Sequence, residues 1–220
     1  MDHAILKKAL LTVVLGGVAV GAHAMQVQNM TAGSGNFSAT YSSPSSTSLV
    51  SSTWANTQNP TANLVGGFVN LGQISTNEFN GQYVFAFTSD GTTAPYGGTP
   101  TGISAPVPNF TVTATGTTTG TISGNLSAWS IYYGGYNANQ GPTDAAGNPV
   151  PVTGTWDPAT GAYNLSWTSF TALSNGDTVT SAWTMSGVAT PVPEASDAAM
   201  MFVGFTLVGA MASVRRRRYS

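Results

Sequence analysis

The chain has 220 residues, of which six are lysine or arginine, eight are acidic and none is cysteine, and its formal net charge is −2. No lysine or arginine occurs between Lys8 and Arg215, and no histidine occurs from Met25 to Ala189. These absences exclude catalysis by histidine or lysine, conventional zinc or copper sites and electrostatic binding of nucleic acid in the central part of the chain.

The first 24 residues have the pattern of a secretory signal peptide. Lys7 and Lys8 supply its positive charge, and an apolar stretch of twelve residues follows at 9–20. Ala22 and Ala24 then place small side chains at the two positions that signal peptidase reads. The sequence predicts cleavage after Ala24. An uncleaved anchor is the alternative, but twelve apolar residues are too few to span a bilayer.

Residues 25–190 form the predicted exported body, and their pattern is that of β-strands. Tyr163, Leu165 and Trp167 alternate with polar residues, and several similar runs are separated by Gly, Pro, Asn and Asp clusters. Eight or more short antiparallel strands, each with one solvent-exposed face, predict an all-β body, either a β-sandwich or a barrel. Residues 25–63 are richer in Ser, Thr and Asn, and we expect them to be partly extended or mobile.

Aromatic residues suggest a binding role for this body. The run 132–136 reads Tyr-Tyr-Gly-Gly-Tyr, and adjacent tyrosines on a strand point to opposite faces. At least one of the first two rings is therefore expected to face outward, and Tyr132, Tyr133 and Tyr136 are the predicted glycan contacts. The alternative is that these rings fill a core and keep their hydroxyls at its rim.

The acidic residues of the body permit two further hypotheses. A pair of carboxylates could hydrolyse a glycosidic bond, and residues 143–148 offer oxygen ligands for calcium. Each acid stands in a turn-like setting, however, and Asp or Asn beside Gly stabilises turns through its own side chain. The sequence therefore predicts no catalytic, cofactor-binding or metal-binding residue, and the five acids concerned are Glu78, Asp90, Asp144, Asp157 and Asp177.

The C-terminal thirty residues, 191–220, have the pattern of a membrane-sorting tail. Seventeen uncharged, mostly apolar residues at 198–214 would rise about 26 Å as a helix, against a hydrocarbon core of about 30 Å. Large apolar residues surround this helix, so it belongs either in lipid or, as the alternative, buried in the core of a soluble domain. The arginines at its end fit only lipid. Four arginines follow and predict a cytoplasmic stop with the body on the other side of the membrane. They are Arg215, Arg216, Arg217 and Arg218.

The order of motif, span and basic cluster resembles the PEP-CTERM sorting signal of Gram-negative bacteria. The motif is Val192-Pro193-Glu194-Ala195, in which Ala195 stands where the family usually has proline. The resemblance implies processing by an exosortase near this motif. It further implies release or attachment at the surface of a cell that makes exopolysaccharide and biofilm matrix.

Three functions remain open at this point. The first is a non-enzymatic cell-surface or extracellular-matrix protein, structural or adhesive, whose partners are signal peptidase, exosortase, the membrane before processing and polysaccharide, but not nucleic acid. The second is a carbohydrate-binding module with an exposed aromatic site. The third is a carboxylate-dependent glycoside hydrolase.

Overall fold

The structure, a computed structural model, describes residues 23–75, 77–78, 81–172 and 176–192. The described chain is all-β, which confirms the predicted fold class, and it contains eleven strands. They are β1 (Ala24–Ser43), β2 (Ser46–Ala55), β3 (Asn70–Gln73), β4 (Phe85–Thr88), β5 (Asn109–Ala114), β6 (Gly120–Asn125), β7 (Trp129–Tyr133), β8 (Tyr136–Asn139), β9 (Val152–Trp156), β10 (Ala162–Ala172) and β11 (Thr178–Pro191).

Six of these strands close into an antiparallel barrel in the order β11-β10-β9-β6-β5-β1, because β1 also pairs with β11. Of the two architectures left open by the sequence, the barrel is the one observed. The twenty-residue β1 pairs with β5 only at residues 24–26, and its later part pairs with β2 instead. The segment 25–63 thus contributes β1 and β2, and β2 is attached to the barrel as a seventh strand.

The barrel interior is filled by one face of each strand. Tyr163 and Leu165 on β10 are buried, whereas their polar neighbours are exposed, as the period of two predicts. Other buried residues of the same core include Val27, Met30, Phe110, Val112, Ile122, Val152, Trp156, Met185 and Ala189.

A second antiparallel sheet, in the order β3-β4-β7-β8, packs beside the long strands. Trp129 of β7 lies within about 6 Å of three tryptophan rings from the larger sheet, with centroid distances of 5.9 Å to Trp54, 6.0 Å to Trp167 and 6.0 Å to Trp183. Phe37 stacks on Trp183 at 5.0 Å. This tryptophan cluster is therefore the core that joins the two sheets, and it positions the outer face of the smaller one.

The two ends of the described chain lie side by side. Val27 is paired with Pro191, and the Val192 N–H donates to the Gln26 carbonyl oxygen at 2.8 Å. Residues 1–22 and 193–220 lie outside the described residues, and with them the predicted span 198–214. Among the residues that are described, no helix has the length and apolar character needed to cross a membrane.

Candidate functional site

Three half-buried aromatic rings lie together on the outer face of the smaller sheet. Phe85 on β4 is paired with Tyr132 on β7, and their ring centroids are 6.1 Å apart. Tyr96, from the loop after β4, lies 4.5 Å from Phe85 and 5.8 Å from Tyr132. We call Phe85, Tyr96 and Tyr132 the aromatic face, and each ring keeps part of its surface in solvent.

Polar contacts fix Tyr96 in this position. Its hydroxyl donates a hydrogen bond to the side-chain oxygen of Asn70 on β3. Asn137 on β8 donates to the Gly97 carbonyl at 2.9 Å and to the Thr99 carbonyl at 2.8 Å, which holds the loop on either side of its turn. The ring of Tyr96 is therefore held by side chains from both edge strands of the smaller sheet and not by its own loop alone.

Two double-glycine turns meet at the edge of the aromatic face. Gly134 and Gly135 have φ values of 58° and 90°, and two successive positive φ values are what a two-residue hairpin between β7 and β8 requires. Gly98 of the other turn approaches so closely that a Cβ there would lie 2.6 Å from the Gly135 carbonyl oxygen. A side chain at Gly98 would therefore push the loop that carries Tyr96 away from the sheet.

The three tyrosines predicted as glycan contacts are not brought together. Tyr132 belongs to the aromatic face, whereas Tyr133 points to the opposite side of β7 and packs against the core. Tyr136 pairs with Tyr133 across the hairpin, and 79% of its surface is exposed. Tyr136 is thus accessible but lies on the other side of the sheet from Tyr132.

From the sequence, neither Tyr96 nor Phe85 was assigned a functional role. A signal for Tyr96 was present, because Tyr96-Gly97-Gly98 repeats the order of Tyr133-Gly134-Gly135. The contact that brings Tyr96 over Phe85 depends on Asn70 and Asn137, which are far from it in the chain. The local alternation of apolar and polar residues cannot indicate a contact of this kind.

The electrostatic character of the aromatic face is neutral. Burial raises the pKa of the Tyr96 hydroxyl, so this group stays protonated and donates its hydrogen bond across the ordinary pH range. Rings that are partly exposed and flanked by amide side chains can stack on the apolar face of a sugar while the amides bind its hydroxyls. Chemically, the arrangement is suited to binding an uncharged ligand.

The carboxylates that could have supported catalysis mainly stabilise turns. Asp90 accepts hydrogen bonds from the backbone of Thr92 and Thr93 at 2.8 and 2.6 Å, and the Thr93 hydroxyl and these amides hold its pKa well below the usual range. Asp157 accepts from the Ala159 N–H at 2.8 Å and from the Thr160 hydroxyl at 2.9 Å.

Asp144, in the loop considered for calcium, has its oxygens occupied in the same way. It accepts from the backbone N–H groups of Ala146 and Asn148 at 2.9 Å each, and the Asn148 side chain and backbone lower the pKa of its carboxyl. Within the described residues, no three side chains of His, Cys, Asp or Glu come together as metal ligands. The loop geometry is that of a self-contained turn.

Four clefts formed by the described residues are lined without any carboxylate. The largest has a volume of about 850 Å³ and crosses the outer face of β10, β11, β1 and β2. Exposed Ser and Thr side chains dominate its rim, including Ser51, Ser166 and Thr168. This surface shares the neutral, hydroxyl-rich character of the body.

The predicted sorting residues fall at the margin of the described chain. Ala24 is the first residue of β1, and Val192 is the last described residue. Ala22, the motif residues Pro193, Glu194 and Ala195, and the four arginines lie outside the described residues. Comparison with known protein families, curated proteins and solved structures found no match to this chain.

Proposed function

We propose that the chain is the precursor of an exported cell-surface or extracellular-matrix protein of a Gram-negative bacterium. A signal peptide at 1–24 directs export, and a PEP-CTERM-like tail at 191–220 holds the precursor in the membrane until an exosortase acts near Pro193-Glu194-Ala195. The body has a structural or adhesive role and associates with exopolysaccharide.

The position of the two ends is the observation that carries this proposal. Gln26 and Val192 are hydrogen-bonded neighbours at one end of the barrel. A chain that is attached to the same membrane first by its N-terminal signal and then by its C-terminal span needs both connections on one side of the folded body. The barrel meets this requirement without any rearrangement.

The surface chemistry gives independent support. The five body acids and the absence of lysine and arginine leave a weakly negative exterior, and the exposed faces of the long strands carry mainly Ser, Thr and Asn. Such a surface offers many hydrogen bonds to polysaccharide with little long-range electrostatic attraction or repulsion.

Intact-mass analysis tests the sorting proposal. The chain is expressed in a Gram-negative host that has an exosortase and in the same host with the exosortase gene deleted. Protein released from the first host should lack residues 1–24 and the segment after the Pro193-Glu194-Ala195 region, and the deletion host should retain the tail. Released protein that still ends in Tyr219-Ser220 would refute the proposal.

A second candidate function, a carbohydrate-binding module, is favoured by the aromatic face. Asn70 and Asn137 hold Tyr96 beside the strand residues Phe85 and Tyr132, so the surface is organised before any ligand binds. Preorganised aromatic groups lose little conformational entropy on binding. The ligand implied by this neutral surface is an uncharged polysaccharide.

Binding measurements separate this candidate from a purely structural role. Exopolysaccharide from the producing cell and a panel of neutral glucans serve as probes. Tyr132→Ala and Tyr96→Ala should each weaken binding at least about tenfold, a loss of about 1.4 kcal/mol that is typical of a central contact. Tyr136→Ala, which removes an exposed ring on the other side of the sheet, is the matched control. If no probe binds, or if only Tyr136→Ala weakens binding, the aromatic face is excluded as a glycan-binding site.

A further inference from the structure

The strand β2 leaves one long edge of the larger sheet open. The Asn56 N–H donates toward β1, to Gly33, at 2.7 Å, whereas the Ala55 N–H donates away from β1, to Ile74, at 2.9 Å. Because backbone direction alternates along a strand, the N–H and C=O groups of every second residue before Ala55 also point away from β1. These residues are Thr47, Leu49, Ser51 and Thr53, and no strand of the described chain pairs with them. The edge is open up to Thr53, because Ser75 forms an isolated bridge with Trp54.

This edge has none of the features that usually prevent pairing between molecules. Natural edges are commonly protected by a lysine or other charge, a proline, a bulge or a very short strand. β2 is ten residues long, has no charged residue and no proline, and pairs with β1 in an unbroken register from Ser46 to Ala55. The segment is therefore an open template for another β-strand.

We propose that β2 is a self-association edge, at which the β2 strand of a second copy of this chain pairs antiparallel across a two-fold axis through Val50. In this register Leu49 of each copy lies opposite Ser51 of the other. These two hydrogen-bonded pairs carry two backbone bonds each, and pairing stops short of Trp54, where Ser75 already occupies the edge. The result is one continuous sheet that runs through both copies.

Leu49 is the observation that favours a second copy over an unrelated strand. It is 68% exposed, although its neighbours on the outer face of the long strands are mainly Ser, Thr and Asn. Across the two-fold axis the two Leu49 side chains become diagonal neighbours, a spacing of about 7–8 Å at which long side chains still interact. The edge is also uncharged, so two copies of a negatively charged body meet where they do not repel each other.

Disulfide trapping tests this register directly, because the chain has no cysteine of its own. Two Val50 residues at the axis form a pair without hydrogen bonds, with Cα atoms about 4.5 Å apart, which is within the range of a disulfide. Val50→Cys in the full chain, in detergent micelles under mild oxidation, should give a covalent dimer. Thr168→Cys, exposed on the outer face of β10, is the control and should stay monomeric. Equal cross-linking in both variants, or none in Val50→Cys, would overturn the proposal.

A charge at the edge gives an independent test that needs no cross-link. Ser51→Lys places two like charges diagonally across the axis and should raise the dimer dissociation constant at least about tenfold in analytical ultracentrifugation. Thr168→Lys adds the same charge away from the edge and should leave that constant unchanged. Hydrogen exchange should show slow amides at residues 49 and 51 in the dimer.

Three results would contradict self-association at β2. A dimer that resists Ser51→Lys would place the interface elsewhere on the chain. A full chain that stays monomeric at all concentrations, with fast exchange along β2, would show that the edge is unoccupied. A monomer with slow exchange at the same amides would show that another segment of the same chain covers it.

Discussion

Replacing Trp183 by alanine should destabilise the body more than any other single change in the tryptophan cluster. Its ring stacks on Phe37 at 5.0 Å and on Trp167 at 6.1 Å, and it meets Trp129 edge-on at 6.0 Å. Its indole N–H also donates to the Ser181 hydroxyl at 2.8 Å, which in turn donates to Gln140. Trp183 thus holds together both sheets and a buried polar network.

The expected loss follows from these contacts. A buried Trp→Ala change typically costs about 3–5 kcal/mol, and three aromatic neighbours at about 0.5–1.5 kcal/mol each favour the upper end of that range. We therefore expect a loss of about 5 kcal/mol in the free energy of unfolding. For a domain of this size the loss corresponds to a decrease in Tm of about 10–20 °C.

Urea denaturation followed by circular dichroism measures the loss, and a double-mutant cycle tests its origin. Trp129 and Trp183 are in contact, so the effects of Trp129→Ala and Trp183→Ala should deviate from additivity by at least about 0.5 kcal/mol. Trp156 lies in the barrel core and donates to the Ala189 carbonyl, so Trp156→Ala with Trp183→Ala should be additive within about 0.5 kcal/mol. A cost below about 2 kcal/mol for Trp183→Ala, or additivity in the first pair, would refute docking of the two sheets through this cluster.

Three further predictions follow from single contacts. Trp129→Phe should lower the free energy of unfolding clearly less than Trp183→Phe in the same urea assay, because the buried Trp129 N–H has no hydrogen-bond partner among the described residues. A larger loss for Trp129→Phe would show that the Trp129 N–H does have a partner. Gly35→Ala should lower Tm strongly, because its Cβ would lie 1.8 Å from the Thr184 carbonyl oxygen, and an unchanged Tm would show that β1 and β11 are further apart. The folded-state pKa of Asp90 is depressed, so its contribution to stability is present above about pH 4 and is lost as pH falls through the folded pKa. The difference in urea midpoint between the chain and Asp90→Asn should therefore narrow below about pH 4, and a difference independent of pH would rule out this role.

Local pattern predicted the strands but not their closure. The alternation around Leu165 and Trp167 correctly indicated a half-buried strand, because one face of β10 meets the core and the other meets water. Whether such strands form a sandwich or a barrel depends on the pairing of β1 with β11, which are about 150 residues apart. The alternation of apolar and polar residues within either strand does not indicate that the two strands pair.

The candidate site was only partly accessible to sequence reasoning for a similar physical reason. Alternation along β7 separates Tyr132 from Tyr133, but it cannot say which of the two faces is covered by the core. The Trp129 contacts decide this, because they place the core on the side opposite Tyr132. Tyr96 joins the aromatic face through hydrogen bonds to distant strands, and such contacts are set by tertiary structure alone.

The pairing of β1 with β11 also has a consequence for the timing of folding. β11 is the last strand of the barrel along the chain, so the barrel cannot close until residues up to about 191 are available to β1. Contacts between segments so far apart in the chain are slow to form, because the entropy of closing the loop is lost before the strands make their bonds. If the chain crosses a membrane from its N-terminus, closure must wait until almost the whole body has emerged. In that case late closure would keep the translocating chain extended and would make folding one of the last events of export.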